Sequence, residues 1–438
     1  WIQIINGSYY KKLSEENRIK LIANPPIRGR LLDRNGVVLA DNKIIYSLSI
    51  QPRLISNSEW IELRNSLSDL LNVSTNQLET AFNRRNSDTP YKKVLLTDLS
   101  EEQVIRFKEH ESNLYGSQID IRLVRNYPQK SLAAHALGYT QFITQAEFSK
   151  LSEKGYKSSD RIGRKGIEAA FESELRGQWG GEMLEIDSTG TVQRSLGLRL
   201  PKAGQDIRLT LDLELQRTAE KVLSDKVGGA IVALDPRTGA IRAIASQPTY
   251  DLNFFSKPFT KNQYDNLFLS SKRPLLSRAL NAYDPGSTWK LVTAVAGMES
   301  GKFPSSQKLN TVPCITYGSH CFPEYNKRGF GWIGYEDAFR VSSNTFFYQV
   351  GVGVGSKALY DAAIKLGFDN YTGIETIFDE SKGLVGNKTW ADQGRGWGNP
   401  GETPWIAEDM ASASIGQSVV LVTPLQLARA YAVFANGG

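Results

Sequence analysis

A helical segment that is apolar on nearly every side begins after Pro285 and Gly286 and covers residues 288–300. Such a helix is stable in water only when other elements cover it all round. It therefore predicts a domain with a core large enough to enclose it, and 438 residues are enough for two or three domains. No uninterrupted apolar stretch reaches the roughly 18 residues that a membrane-spanning helix needs.

The composition is that of a globular protein, with 40% hydrophobic and 22% charged residues, which excludes wholesale disorder. Two cysteines exclude a disulfide-dense scaffold and a four-cysteine zinc site. The three histidines, His110, His135 and His320, lie far apart, which argues against a His-rich metal centre and leaves few candidates for a Ser-His-Asp triad. The formal net charge of +6 is small for this length; it suits a chain working near anionic lipid or polymer without requiring one.

Apolar periodicity and turn signals predict two regions. The first contains a helix over residues 9–22, a hairpin over residues 28–40 with its turn at Asn35-Gly36, and two amphipathic helical stretches within residues 58–111. After a linker at residues 201–205, the second contains a hairpin over residues 229–245 and then apolar helices at residues 288–300, 335–341, 345–352, 356–366 and 423–435. A central antiparallel sheet with helices packed on it gives an α/β or α+β domain.

Ser287 and Lys290 form the first candidate site. They stand three positions apart at the start of the apolar helix and so share one face. Burial lowers the pKa of a lysine, and a neutral amine beside a hydroxyl can activate it as a nucleophile without any histidine. The free N–H groups of the helix start could also stabilise an oxyanion. The alternative is an N-cap serine followed by a surface lysine.

Ser342 and Asn344 form the second candidate site, between two helical stretches. In a loop, both side chains could point into one cleft, where a hydroxyl relays a proton and an amide holds a substrate carbonyl or the lysine. The alternative is helix capping, because serine and asparagine favour N-caps.

The two motifs together resemble the Ser-x-x-Lys and Ser-x-Asn motifs of the active-site serine penicillin-recognising enzymes. The whole sequence resembles the class B penicillin-binding proteins, and especially the penicillin-binding protein 2 of the cell-elongation group. Further segments that carry the resemblance are residues 15–21, 28–29, 33–36, 127–128, 135–139, 163–177, 209–212, 235–253, 343–351 and 414–428.

The resemblance implies a penicillin-recognising serine transpeptidase domain, with an antiparallel sheet and helices on both of its faces, over residues 201–438. It implies an elongated, mainly β, non-catalytic pedestal or dimerisation domain over residues 23–200. Residues 1–22 are expected to be a juxtamembrane helix that follows a missing transmembrane anchor, because an apolar start led by Trp1 is typical of a membrane interface; on this feature alone, an arbitrary start of the segment is an equal alternative. The expected location is the inner membrane, with a single span and the catalytic domain in the periplasm.

In this family, Ser287 would be the acylated nucleophile, Lys290 its general base, Ser342 the proton relay and Asn344 a contact to the substrate amide. One departure from the family pattern is that no Lys-Thr-Gly or Lys-Ser-Gly follows Ser342. The family carries this third motif shortly past an Asn-Gly-Gly such as the one at residues 436–438, so truncation explains the departure better than loss. Without that strand, the printed chain is expected to be inactive.

Cys314 and Cys321, with six residues between them, can close a small loop. A disulfide is the first expectation because the resemblance implies an oxidising bacterial envelope. Free thiols are the second. A metal site formed by Cys314, His320 and Cys321 is the third, and it would need a fourth ligand.

The resemblance implies a peptidoglycan D,D-transpeptidase that needs no cofactor, cross-links stem peptides during cell elongation and is acylated by β-lactam antibiotics. The expected partners are a SEDS-type glycosyltransferase and membrane proteins of the elongation complex; no nucleic-acid motif is present. One alternative is a serine β-lactamase or D,D-carboxypeptidase, which needs a second base to hold a water, with Glu402 and Glu408 as candidates. Another alternative is a non-catalytic envelope scaffold or penicillin sensor.

Overall fold

The computed structural model describes residues 19–83, 93–186, 192–257, 259–374, 379–393 and 405–438. In the N-terminal region, the strands are β1 (Ile19–Asn24), β2 (Leu31–Leu32), β3 (Val38–Ile50), β4 (Lys93–Leu99), β5 (Ser117–Asn126), β6 (Thr140–Phe142), β7 (Arg161–Gly163), β8 (Gly180–Ile186) and β9 (Val192–Arg199). The helices are α1 (Asn57–Leu71), α2 (Thr75–Asn83), α3 (Glu101–His110), α4 (Ala134–Leu137), α5 (Gln145–Leu151), α6 (Gly166–Ala170) and α7 (Glu172–Arg176). Short 3₁₀ turns lie at Pro52–Leu54, Glu111–Asn113 and Ser152–Lys154.

In the C-terminal region, the strands are β10 (Ile207–Arg208), β11 (Gly229–Leu234), β12 (Ile241–Gln247), β13 (Leu309–Thr311), β14 (Cys314–Tyr317), β15 (His320–Pro323), β16 (Gly331–Ile333), β17 (Leu384–Val385) and β18 (Val420–Leu421). The helices are α8 (Leu213–Leu223), α9 (Lys261–Tyr264), α10 (Lys290–Glu299), α11 (Tyr335–Arg340), α12 (Asn344–Val354), α13 (Ser356–Lys365), α14 (Lys388–Asp392), α15 (Ala407–Ser414) and α16 (Pro424–Asn436). Other helical turns lie at Leu252–Ser256, Asp265–Leu269 and Gly286–Trp289.

The long strand β3 organises the N-terminal region. It pairs antiparallel with β2, β4 and β5, and β10 joins β2 in parallel. The predicted turn at Asn35-Gly36 is confirmed: the Asp33 carboxylate accepts the backbone N–H groups of Asn35 and Val37, and Gly36 adopts a φ of 88°. Leu48 and Ile50 of β3 form a core with the apolar face of α1, because residues three and four apart on a helix face the same way.

Two predictions in this region are wrong. Residues 19–22 were expected to end a helix, but they belong to β1, which pairs antiparallel with β8; residues 1–18 lie outside the described residues. The strand β4 lies where only helices were expected. In both places backbone pairing with a distant strand outweighs local helix propensity, which is a weak preference by comparison.

A buried carboxylate ties the N-terminal region together. Glu168 is fully buried, and it accepts hydrogen bonds from Arg28 at 2.7 Å, Arg125 at 2.6 Å and the Tyr127 hydroxyl at 3.2 Å. Burial alone would raise the pKa of Glu168, but the two guanidinium groups outweigh it and hold that pKa below its usual range. Arg28 precedes β2 and Arg125 lies in β5, so this carboxylate joins α6 to the central sheet.

In the C-terminal region, β11 and β12 form an antiparallel pair, as the hairpin prediction requires. Ala243 and Ala245 of β12 pack on α8, whereas Ile244, which points to the opposite face, belongs to a core shared with Leu425 of α16. Helices therefore lie against both faces of the pair. This arrangement after a pedestal region of strands and helices confirms the predicted fold class.

Helix α10 is enclosed, as its sequence predicts. Val292 and Ala296 pack into one core with α13 and α16, while Ala294 packs on the other side against α12 and α15. Within the part of the chain that the structure describes, no helix combines the length and the apolar character needed to cross a bilayer.

Candidate active site

Ser287 lies in the 3₁₀ turn that leads into α10. The preceding Gly286 has a φ of 56°, a left-handed conformation that a side chain would disfavour. The Gly286 N–H donates to the Gly416 carbonyl at 2.9 Å. A Cβ atom on Gly416 would lie 2.6 Å from the Gly286 oxygen and 2.5 Å from the Trp289 Cβ. A glycine at 416 therefore lets a distant segment approach and fix the serine turn.

Lys290 is 1% exposed, and its Nζ atom has three acceptors. It donates to the Ser342 carbonyl oxygen at 2.7 Å, the Ser342 Oγ at 3.1 Å and the Asn344 Oδ1 at 2.8 Å. Burial lowers the pKa of Lys290 to about 8, although the nearby Glu324 carboxylate works in the opposite direction. At neutral pH a useful fraction of this amine is therefore unprotonated.

Ser342 bridges the two halves of the site. Its Oγ donates to the Ser287 Oγ at 3.0 Å, and its backbone adopts a φ of 51°. The three-residue spacing predicts that Ser287 and Lys290 share one face at the start of the helix, and the structure connects the two side chains through this hydroxyl. Among the described residues, no direct hydrogen bond joins the Ser287 hydroxyl to the Lys290 amine.

A cleft of about 490 Å³ opens over these groups. Within the described part of the chain, its lining includes no aspartate, glutamate or histidine; the residues are Ser287, Tyr325, Arg340, Val341, Ser342, Asn344, Ile415 and Gln417. The predicted Ser287, Ser342 and Asn344 thus face one cleft, and Lys290 lies buried behind Ser342. Tyr325, Arg340 and Gln417 were not predicted, since single residues far apart carry no motif.

Glu324 was also missed by sequence reasoning. Its carboxylate is 1% exposed and accepts hydrogen bonds from the Ser343 hydroxyl and from the backbone N–H of Asn344. Burial would raise the pKa of Glu324, but the hydrogen bonds from Ser343, Asn344 and Thr345 hold it below its usual range. The sequence signal was weak: a single glutamate directly after Pro323.

Glu324 follows a small hairpin in which β14 and β15 pair antiparallel. Cys314 and Cys321 are joined by a disulfide in this hairpin, with their Cα atoms 5.8 Å apart. His320 is exposed and contacts the Ser319 hydroxyl, and the described residues contain no cluster of three or more potential metal ligands. The structure therefore gives no support to a metal site at Cys314, His320 and Cys321.

Of the two glutamates considered as bases for a hydrolase, Glu408 is not among the residues that line the cleft. Glu402 lies outside the described residues. Glu408 packs against the tip of the hairpin, where a Cβ on Gly318 would lie 1.7 Å from its Oε1.

The fold and the linked serine, lysine and serine define a serine acyl-transfer domain of the penicillin-recognising class. Residues 23–209 match the family model of the penicillin-binding protein dimerisation domain, and residues 229–438 match that of the penicillin-binding protein transpeptidase domain. The chain belongs to the class B penicillin-binding proteins, in their elongation-type penicillin-binding protein 2 group.

Known proteins similar to this chain agree with that assignment. It is 32% identical to the peptidoglycan D,D-transpeptidase MrdA of Escherichia coli K12 over 447 residues, covering 100% of this chain and 69% of the relative. The MrdA of Haemophilus influenzae is 33% identical, with coverage of 100% and 67%. A solved complex of Helicobacter pylori penicillin-binding protein 2 with MreC superposes with a TM-score of 0.85 at 25% identity, covering 96% of this chain and 78% of that one.

Proposed function

We propose that this chain is a peptidoglycan D,D-transpeptidase in which Ser287 is the nucleophile. Ser287 Oγ attacks the carbonyl carbon of a D-Ala-D-Ala bond, the terminal D-Ala leaves as an amine, and an acyl-serine ester remains. An amine of a neighbouring stem peptide then attacks the ester and releases Ser287. The single observation that carries the proposal is the hydrogen-bonded connection from Ser287 through Ser342 to Lys290.

The direction of the hydrogen bonds in this connection depends on whether Lys290 is protonated. With Lys290 protonated, its three N–H groups match the three acceptors, and the Ser342 hydroxyl donates to Ser287. With Lys290 neutral, its lone pair can accept the Ser342 proton, and the Ser342 Oγ can then accept the proton of Ser287. Lys290 thereby acts as general base and Ser342 as relay, while the Asn344 amide holds the lysine and reaches the cleft for a substrate amide.

The lining of the cleft favours transfer to an amine over hydrolysis. A hydrolase needs a base that holds and activates a water, and the described cleft residues include no carboxylate or histidine. The intact connection between Ser287 and Lys290 also favours an enzyme over a non-catalytic scaffold or penicillin sensor.

We assign residues 23–200 to a pedestal and residues 201–438 to the transpeptidase domain. The matches of the two family models to residues 23–209 and 229–438 support this division. The relative from Helicobacter pylori was solved in complex with MreC, and a further relative at 30% identity was solved in a peptidoglycan synthase complex that coordinates polymerization and crosslinking. We propose that elongation-complex membrane proteins and a SEDS-type glycosyltransferase bind this chain too.

The proposed location is the periplasmic side of the inner membrane. Peptidoglycan stem peptides are found in the envelope, and the Cys314–Cys321 disulfide is compatible with that oxidising compartment.

Covalent labelling with a fluorescent penicillin tests the proposal on the protein expressed from its complete reading frame. We expect the wild-type protein to be labelled and Ser287→Ala to show no label, while Ser300→Ala, a serine at the far end of the same helix, labels like the wild type. Equal labelling of Ser287→Ala would place the nucleophile elsewhere. Rapid hydrolytic loss of the label would favour a β-lactamase.

A further inference from the structure

The carboxylate of Glu324 gathers five hydrogen-bond donors. Oε2 accepts the Ser343 hydroxyl at 2.6 Å, and the Thr345 hydroxyl and N–H at 2.8 and 3.1 Å. Oε1 accepts the backbone N–H of Asn344 at 2.7 Å and of Tyr325 at 3.1 Å. Among the described residues it forms no ion pair within 4 Å, so its buried charge is compensated by direct hydrogen bonds and not by a contacting cation.

The donors belong to a segment that needs outside support. Asn344 and Thr345 open α12, and the N–H groups of a first helical turn have no partner within the helix. Ser342, two residues before Asn344, is held in a left-handed conformation that costs a non-glycine residue about 1 kcal/mol or more. A negative charge at a helix N-terminus is also favourable, so Glu324 acts as an external cap.

The same segment carries all three acceptors of Lys290. The Ser342 carbonyl and hydroxyl and the Asn344 Oδ1 reach the lysine only because the turn from Ser342 to Thr345 is held in place. Glu324 also accepts the backbone N–H of Tyr325, a residue that lines the cleft. One buried carboxylate thus connects both the relay segment and a wall of the cleft.

We propose that Glu324 is a positioning residue for the acylation of Ser287, which holds Ser342 and Asn344 against Lys290 and fixes Tyr325 at the cleft. This inference rests on the proposed function of Ser287 and Lys290. In this proposal Glu324 does not touch the substrate. It acts by positioning Ser342, Asn344 and Tyr325, which lie at the cleft.

The charge of Glu324 supplies a readout that a purely structural role would not move. Among the described residues, Glu324 is the charged group that shifts the pKa of Lys290. Its negative charge raises that pKa, whereas burial lowers it. Arg340, the cation at the cleft rim, is exposed and paired with Asp337. Removing the negative charge of Glu324 should therefore lower the pKa of Lys290 below about 8 and extend acylation to lower pH.

The test measures the second-order rate constant of acylation by fluorescent penicillin between pH 5.5 and 9.5, a range chosen around that pKa. For Glu324→Gln we expect the maximal rate at high pH to fall about tenfold or more, because an amide cannot accept all five donors. We also expect the acidic limb of the profile, where the rate falls as Lys290 becomes protonated, to move to lower pH. Glu324→Asp keeps the negative charge, so the acidic limb of its pH profile should stay where it is in the wild type. Its maximal acylation rate should lie between those of the wild type and Glu324→Gln. Glu336→Gln is the matched control, since Glu336 is exposed on neighbouring α11; both quantities should be unchanged.

Thr345→Val covers the case in which Glu324→Gln does not fold. It removes one donor to Oε2 and keeps the carboxylate, so the rate should fall several-fold with no movement of the limb. A folded Glu324→Gln with the wild-type rate and pH profile would overturn the inference, and so would a wild-type rate for Thr345→Val. These outcomes leave the proposed function intact if Ser287→Ala is unlabelled, whereas labelling of Ser287→Ala would defeat the proposed function itself.

Discussion

Lys290 holds Ser342 at two points, donating from Nζ to its carbonyl oxygen at 2.7 Å and to its Oγ at 3.1 Å. The backbone contact fixes the position of the Ser342 hydroxyl, and the side-chain contact is the one through which a proton moves in the proposed mechanism. Because the two contacts come from one residue, a shift of the Ser342 backbone would alter both position and chemistry.

Acylation should depend on pH through Lys290. The pKa of this buried amine is lowered to about 8, and only its neutral form can take the proton from Ser342. The rate constant for penicillin labelling should therefore rise about tenfold per pH unit below that pKa and level off above it. Stopped-flow or quenched labelling across this range measures the profile, and a flat profile between pH 6 and 9 would contradict Lys290 as the base.

Ser342→Ala should slow acylation by about 10²–10⁴-fold, because it breaks the connection between Ser287 and Lys290 at its centre. Thermal unfolding should change little, since the alanine methyl group fits the same space. The labelling rate and the melting temperature are measured together, with Ser300→Ala as the control for a serine hydroxyl lost outside the cleft. Wild-type labelling of Ser342→Ala would mean that the proton takes another route.

Gly416→Ala should abolish labelling. The new methyl group would lie 2.6 Å from the Gly286 oxygen and 2.5 Å from the Trp289 Cβ, so the serine turn must move. Gly301→Ala is the matched control, because Gly301 has nearly the same φ, 70° against 72°, but nothing within 4 Å of the added carbon. It should cost about 1 kcal/mol of stability and leave labelling unchanged. Equal labelling of the two variants would show that the approach of Gly416 is not needed.

Cys314 and Cys321 should resist alkylation until the protein is reduced. Closing the loop between them should be worth roughly 2 to 3 kcal/mol. Intact-mass measurement with and without reductant checks the bond, and labelling after reduction checks its role: because β15 runs directly into Glu324, the acylation rate should fall when the bond is opened. Two freely alkylated thiols in the unreduced protein would refute the disulfide, and stoichiometric zinc would restore the metal alternative.

Glu168→Gln should destabilise the N-terminal region strongly, by about 3–5 kcal/mol, because Arg125 would lose its buried counter-charge and Arg28 would keep only Glu172. Glu102→Gln removes an exposed partner of Arg106 and should cost about 1 kcal/mol or less. Chemical denaturation measures both. The molecules of Glu168→Gln that remain folded should still be labelled by penicillin, since Glu168 lies in the other region of the chain.

Local patterns were enough to predict the parts of the site that lie close together in sequence. Ser287 with Lys290, and Ser342 with Asn344, each stand within one turn, and the helix predicted over residues 356–366 is α13. The hairpin turn at Asn35-Gly36 was equally local, because two residue types determine its conformation.

The missing parts depend on contacts between distant segments. Glu324, which follows the disulfide-bonded hairpin, accepts the backbone N–H of Asn344. Gly416 accepts the N–H of Gly286, although the two residues are more than a hundred positions apart. No local sequence pattern around Glu324 or Gly416 indicates these contacts. The strand β1 was mistaken for a helix for the same reason, since its pairing partner β8 lies more than 150 residues away.

The serine turn is assembled from pieces that leave the ribosome at very different times. Tyr283 exchanges two backbone hydrogen bonds with Val422, Gly286 donates to Gly416, and the Tyr431 hydroxyl donates to the Thr288 carbonyl. Until residues 416–431 have been synthesised, the turn around Ser287 lacks these hydrogen bonds, and the left-handed conformation of Gly286 is not held in place. A nascent chain therefore carries Ser287 in an unsupported turn while more than a hundred further residues are synthesised, and the turn acquires its native conformation only when residues 416–431 dock on it.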